Sequence, residues 1–178
     1  MNVVVLNASP HAAGNTMALA RALLRGCRHT RLDLYDMALA PCRGCGACAG
    51  GRPCAIADDA PGIIRRLLDA DRIVLASPVH FMSLSAPLVA LVSRLQAVWQ
   101  GCARPAGRQG ALVLTAGSDR EQDFGPARSV AAAALNVLGA RLACVVQAGG
   151  TDALPVCNNT AALTNAAAAG VTFFGQAQ

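Results

Sequence analysis

Apolar positions along this chain fall into blocks that switch between two periods. Val3-Val4-Val5-Leu6 is continuously apolar and mostly β-branched, the signature of a strand buried on both faces. After Gly14 the spacing changes. Leu19, Leu23 and Cys27 recur every four residues with Arg21, Arg25 and Arg28 opposite, which predicts a helix. Further strands are predicted near Arg31–Leu34, over Arg72–Ala76, over Ala111–Thr115 and over Leu142–Gln147. Helices are predicted through Leu68, over Ala86–Val98, after Gly125 and from near Thr160. Asp58 and Asp59 suit the start of the first of these, and Gly139 suits the end of the Ala-rich helix before the last strand. An irregular loop rich in Cys and Gly, at about 37–57, separates the second strand from its helix. Such alternation builds an α/β fold, a doubly wound parallel sheet covered on both faces with right-handed crossovers. Five strands fit the order 2-1-3-4-5, which places a ligand between the carboxyl ends of strands one and three.

At 178 residues the chain is expected to be one domain, 1–178. Hydrophobic residues make up 54% and charged residues 14%, a balance that excludes disorder. All 15 basic residues are Arg, giving a formal net charge of +5. They are scattered and aromatics reach only 3%, so no nucleic-acid surface is expected. The positive balance would still help to attract an anionic substrate. The N-terminus lacks a basic region and its apolar run is short, so no signal peptide is expected. Ser129–Gly150 is apolar apart from Arg141, but Gly139 divides it into pieces too short to span a membrane. Eight Cys without a secretory signal point to a reducing, cytoplasmic compartment and to metal or redox chemistry rather than disulfides.

Two loops carry candidate chemistry at the predicted carboxyl edge. Ser9-Pro10-His11-Ala12-Ala13-Gly14-Asn15-Thr16 joins the first strand to the first helix. Backbone N–H groups and the positive end of the helix dipole make such a junction an anion site. The hydroxyls of Ser9 and Thr16 and the Asn15 amide add neutral hydrogen bonds suited to a phosphate. The plainer alternative is a capped helix without a ligand, but the Gly-Asn-Thr ending favours binding. Because the chain has no Lys, a nucleotide-hydrolysing P-loop is excluded. The second loop, Ser77–Leu88, exposes Pro78, Val79, His80, Phe81, Met82 and Ser83 beside the first. An aromatic, a thioether and main-chain amides together suit a flat apolar ring with a polar edge. Core packing is the alternative for Phe81 and Met82. His80 is a candidate proton donor, with stacking or hydrogen bonding as its simpler role.

Cys42, Cys45, Cys48 and Cys54 put four thiols in thirteen residues, interleaved with Gly44, Gly46, Gly50 and Gly51. The pattern suits a 4Fe–4S cluster. Zinc would more usually take paired knuckles set further apart, and free thiols lining a pocket are the third reading. Gly44-x-Gly46-x-x-Ala49 fits a loose dinucleotide fingerprint but neither follows a strand nor opens a helix, so it carries no weight. Cys27, Cys102, Cys144 and Cys157 are dispersed and read as core or incidental thiols.

Ser9, Gly14, Asn15 and Thr16 resemble the phosphate loop of the flavodoxin-like NAD(P)H-dependent FMN reductases, with His11 where that family often has Arg. The Ser77–Leu88 segment is similar to the same family's flavin-ring loop. His80 stands for a usual Tyr, Val89 replaces a usual Lys, and Arg94 matches an Arg further along the helix. The cysteine spacing and the Ala55-Ile56-Ala57-Asp58-Asp59 run that follows resemble the iron–sulfur flavoproteins. These resemblances imply bound FMN, with Ala116 and Gly117 also bordering its ring, and NAD(P)H as a transient electron donor. The implied acceptor is a small quinone, flavin or nitroaromatic, and the implied assembly is a homodimer or homotetramer. The alternative is an iron–sulfur flavoprotein carrying electrons to and from a protein such as ferredoxin. A non-catalytic zinc or thiol-sensor module is the remaining alternative, and it leaves both flavin-like loops without a role.

Overall fold

Strand β1 (Val3–Asn7) pairs in parallel with β2 (Thr30–Asp33) on one side and β3 (Arg72–His80) on the other. The computed structural model describes residues 1–101 and 107–175. A short β4 (Ser83–Leu84) turns back antiparallel along β3, while β5 (Arg108–Thr115) and β6 (Ala140–Ala148) extend the parallel sheet. The order is β2-β1-β3-β5-β6, with β4 off this path. The five parallel strands therefore take the expected order, with β5 and β6 as the fourth and fifth parallel strands. β4 escapes a sequence reading because two residues carry no periodicity.

Strand alternation builds two cores from single strands. Val3 and Val5 of β1, Val74 and Ala76 of β3, and Ala111 and Val113 of β5 face one side. There they meet α1 (Asn15–Leu23) and α6 (Thr160–Phe174). Val4, Leu6, Ile73, Leu75, Leu112 and Leu114 face the other side. That side is covered by α2 (Ala60–Leu68), α3 (Ala86–Arg94), α4 (Gln96–Gly101) and α5 (Gly125–Val137). Each fully buried Leu or Val contributes about 1.5–3 kcal/mol. Gly139, with φ of 75°, ends α5 and lets β6 begin at Ala140, as expected.

The single helix expected over Ala86–Val98 is two. α3 stops at Arg94 and α4 starts at Gln96. The break brings the Gly101 backbone against Gly51 of the cysteine loop, so close that a Cβ on Gly101 would lie 2.0 Å from Gly51 Cα. Cys27 and Cys144 pack partly buried against the α1–α6 core, as expected, and burial pushes both thiols above their ordinary pKa, which keeps them unreactive. Cys102 lies outside the described residues.

α1 and α6 touch at Gly170, where a Cβ would stand 2.0 Å from the Leu23 carbonyl oxygen. Gly170→Ala is expected to destabilise the protein by about 1–3 kcal/mol through overpacking. A urea midpoint equal to that of the parent would show that the contact has slack.

Candidate functional site

All the parallel strands point the same way, so the loops after β1, β2, β3 and β5 leave from one edge. Three buried groups tie the first and third of these loops together. The Ser85 hydroxyl, ahead of α3, donates to the Ala8 carbonyl at 2.6 Å, and the Ser85 N–H donates to the Ser77 hydroxyl at 2.9 Å. Ala8 N–H completes the junction by donating to the Ala76 carbonyl at 2.8 Å. On the other side, the Asn7 amide donates to Asp33 of β2 at 2.7 Å while its oxygen accepts the Ser9 N–H at 3.1 Å.

The loop after β1 reaches α1 through Gly14, whose N–H donates to the His11 carbonyl at 3.0 Å. Gly14 at its N-cap has no side chain to cap it, and no acid stands in its first turn. The first-turn N–H groups have no helical acceptor by geometry, which makes this end a candidate anion site. The side chains expected to help it also have structural roles. Thr16 shares a hydrogen bond with Thr115 at 2.7 Å, Asn15 Oδ1 accepts the Val156 N–H at 2.9 Å, and the Ser9 hydroxyl accepts the His11 N–H at 3.2 Å. These bonds leave the backbone amides at the start of α1 and the Asn15 NH₂ group as the candidate donors for a phosphate. Arg21, expected on a solvated face, reaches back to the Ala12 carbonyl at 3.0 Å and brings a guanidinium to a loop that lacks the family's usual Arg.

After β3, Phe81 and Met82 form the two-residue turn between His80 and its partner Ser83. Both have positive φ, 49° and 63°, the geometry that Asn-Gly normally supplies in such hairpins. Holding two bulky side chains there costs about 1–3 kcal/mol each. Phe81 is fully exposed. A cavity of about 410 Å³ is lined by Val79, Phe81 and Met82 from this hairpin and by Ala116, Gly117, Ser118, Arg120 and Asp123 from the loop after β5. It joins the two segments expected to border a ring. Gly117 lies against the exposed Asp152 carboxylate, which would have to move to make room for a Cβ there. His80 falls on the opposite side of the strand by alternation. It lines a separate apolar groove of about 860 Å³ that also includes Phe81, Leu34, Met37 and Val89.

All four clustered thiols, Cys42, Cys45, Cys48 and Cys54, line one further cavity of about 490 Å³. Among the described residues, no three His, Cys, Asp or Glu side chains converge tightly enough to hold a single ion. Gly44 and Gly46 take positive φ around the cavity, and the Gly44 N–H donates to the Cys42 sulfur at 3.4 Å. Four thiols with an amide directed at sulfur match the donor chemistry of an iron–sulfur cluster. The loop is anchored from α3. Buried Arg94 pairs with Asp58 at 2.6 Å and donates to the carbonyls of Ala40 at 2.9 Å and Ile56 at 3.3 Å. Burial alone would raise the Asp58 pKa. Arg94 and the N–H groups of Ala40 and Ala60 outweigh it and hold the carboxyl below its ordinary value. Asp58 thus serves the start of α2 as expected through Ala60, whereas Asp59 instead accepts the Ala38 N–H. Ser77, Ser85 and Ser93 hold these loops in place without having been expected to. Only Ser85, directly before Ala86-Pro87, carries a local signal, that of a helix start.

Fold, uncapped helix end and ring-sized cleft define a mononucleotide-binding flavoprotein. The match extends over residues 1–150, and the chain belongs to the NADPH-dependent FMN reductase family. An iron–sulfur flavoprotein of Methanocaldococcus jannaschii is 37% identical over 99 residues, covering 53% of this chain and 51% of that protein. The chain spans about half the length of the curated relatives it matches. In fold it is similar to an azoreductase of Bacillus anthracis, with a TM-score of 0.73, 20% identity, and coverage of 97% of this chain and 100% of that one. It is also similar to an FMN-dependent NADH-azoreductase of the same species solved with FMN, with a TM-score of 0.68, 16% identity, and full coverage of both chains. Among the described residues no helix is long and apolar enough to cross a membrane.

Asp58 contributes stability that is present above the ordinary carboxylate pKa and is lost as pH falls through its lower folded-state value. Asp58→Asn is expected to cost about 3–5 kcal/mol at neutral pH, because it leaves Arg94 buried and unpaired. The deficit should narrow below about pH 4, as the parent carboxyl takes up its proton. Chemical denaturation across that range would show a constant deficit if the ion pair contributed nothing.

Proposed function

We propose that the chain forms one FMN-binding unit, 1–178, that oxidises NAD(P)H and passes the electrons to a small acceptor such as a quinone, a flavin or a nitroaromatic. The observation that carries this reading is the cleft in which the strained Phe81–Met82 turn faces Ala116 and Gly117 across about 410 Å³. Strain of this kind persists where the surroundings enforce it, and it clusters at binding sites.

In this reading the α1 amides beside Gly14 hold the phosphate, with Ser9, His11, Asn15 and Thr16 shaping the loop. Pro78, Val79, Phe81, Met82 and Ser83 present one side of the ring site, and Ala116 and Gly117 the other. FMN supplies hydride acceptance from the nicotinamide and delivery to the acceptor. The protein positions it, keeps an apolar surface for a flat substrate and directs amides at the ring edge, where negative charge grows on reduction. His80 is left as a hydrogen-bonding or proton-donating group for a molecule in the neighbouring groove. A homodimer or homotetramer would cover the exposed Phe81.

A second reading rests on a separate observation, the single cavity shared by four thiols. In it the protein is an iron–sulfur flavoprotein that exchanges electrons with a carrier such as ferredoxin. The name of the Methanocaldococcus jannaschii relative points the same way. Iron and acid-labile sulfide in protein purified without oxygen would support it, and their absence after reconstitution would remove it.

Replacing Phe81-Met82 by Asn-Gly is expected to relieve the turn and raise stability by at least about 1 kcal/mol. The same change should weaken FMN binding about tenfold or more, or about 1.4 kcal/mol. Flavin fluorescence titration and thermal melts measure the two effects. Unchanged FMN affinity would show that the hairpin does not hold the ring, and failure of the parent to bind FMN or oxidise NAD(P)H with any acceptor would refute the main proposal.

A further inference from the structure

Two adjacent residues of α3 hold both ends of the cysteine loop. The Ser93 hydroxyl accepts the Cys42 N–H at 2.9 Å and donates to the Ala90 carbonyl at 2.6 Å. Ser93 also lines the thiol cavity itself. Arg94, 2% exposed, binds the carbonyls of Ala40 and Ile56, each two residues from an end cysteine, and pairs with Asp58 beyond them. The Ile56 carbonyl holds its guanidinium two residues along the chain from Cys54, and among the described residues its buried Nε–H has no hydrogen-bond acceptor. First and last thiols are thereby tied to one rigid helix, and a fixed positive charge stands near the last.

We propose that Ser93 and Arg94 are the positioning residues of the four-thiol pocket: they preform it without metal, and the Arg94 charge favours the reduced form of an iron–sulfur cluster held there. The electrostatic half rests on the cluster reading given above; the positioning half does not. Reduction adds one negative charge to a cluster. A buried guanidinium fixed two residues along the chain from a ligand cysteine stabilises that added charge in a medium that screens it poorly. Arg is the residue this task requires, since its planar fork serves several acceptors at once while its charge is permanent. A Lys there would keep the charge and lose the fork. The loop's own glycines favour collapse or opening of an unsupported chain, so the hold from α3 accounts for a pocket that stands open as a single cavity.

Trypsin tests the positioning on metal-free protein. The bond after Arg43, directly past the first cysteine of the loop, is a cutting site, while the Arg52–Pro53 bond resists the enzyme. R94Q is expected to speed cutting after Arg43 about tenfold or more, an opening free energy lowered by about 1.4 kcal/mol, with cutting after Arg65 and Arg66 in α2 unchanged. S93A should loosen the Cys42 end in the same way and more weakly. Acceleration at every site would mean general unfolding and would count against a positioning role. For the charge, EPR-monitored redox titration of loaded protein should show the R94Q equilibrium shifted about tenfold toward the oxidised cluster, ~59 mV for one electron. R94K should keep the parental potential while loosening the loop, and it serves where R94Q does not fold. Equal cutting after Arg43 in parent, R94K and S93A overturns the positioning. Equal potentials in parent and R94Q overturn the electrostatic half, whereas a parent that binds no iron and sulfide removes the cluster reading and leaves the trypsin comparison to decide the positioning.

Discussion

Ser85 gives its hydroxyl to the carbonyl of Ala8 and its N–H to the hydroxyl of Ser77, so one buried residue joins the end of β1, the end of β3 and the start of α3. Parallel strands diverge as they leave the ladder, and their free peptide groups need partners once water is excluded. Without this junction the phosphate loop and the ring hairpin would be separate surface loops. With it they share one edge at a fixed spacing. The same helix then carries the constraint further: Ser93 lies eight residues on from Ser85, ~12 Å along the axis, and there α3 meets the cysteine pocket. One rigid element therefore starts at one proposed redox site and ends at the other.

The far end of α3 is held by a charge that would be prohibitive alone. Burying a guanidinium costs several kcal/mol, which a single carboxylate seldom recovers in full. Arg94 is tolerated because Asp58 and two carbonyls surround it and because those carbonyls belong to a loop whose one large apolar side chain is Ile56. A hydrophobic residue of equal volume would pack as well and would order nothing in residues 40–58. The gain is in specifying one loop conformation, which glycine-rich backbone cannot do for itself.

The sheet was legible in the sequence because its physics is local. Val3 to Leu6 could only be a strand buried on both faces, and Gly139 could only close a helix, so the parallel order followed from alternation. Both ligand loops were legible for a related reason, since Gly14-Asn15-Thr16 and Ser77-Pro78 lie next to the elements they end or begin. What stayed hidden was long-range. Asp58 reads as a helix start and Arg94 as part of a helix, and nothing in either neighbourhood says that they meet. Thr16 and Asn15 read as phosphate donors, but Thr115 and Val156 engage them from 99 and 141 residues away. The Phe81–Met82 turn was hidden for a third reason: it contradicts turn chemistry, so only the folded chain shows that two unsuitable residues are held there.

Topology also explains why the cysteines lie where they do. An insertion can enter a parallel α/β unit cheaply only in a loop, and the loop after β2 leaves from the same edge as those after β1, β3 and β5. A thiol pocket built there shares that edge with the proposed ring cleft, one groove away from it. The groove of about 860 Å³ reflects this adjacency, since Phe81 borders it and the ring cleft, while Ser93 borders it and the thiol cavity. Three cavities in series, each sharing one wall with the next, follow from placing two loops on one sheet edge. Their chemistry differs because the wall residues do: a strained aromatic and the Arg120–Asp123 pair at one end, a largely apolar middle with His80, and four thiols near a buried Arg94 at the other.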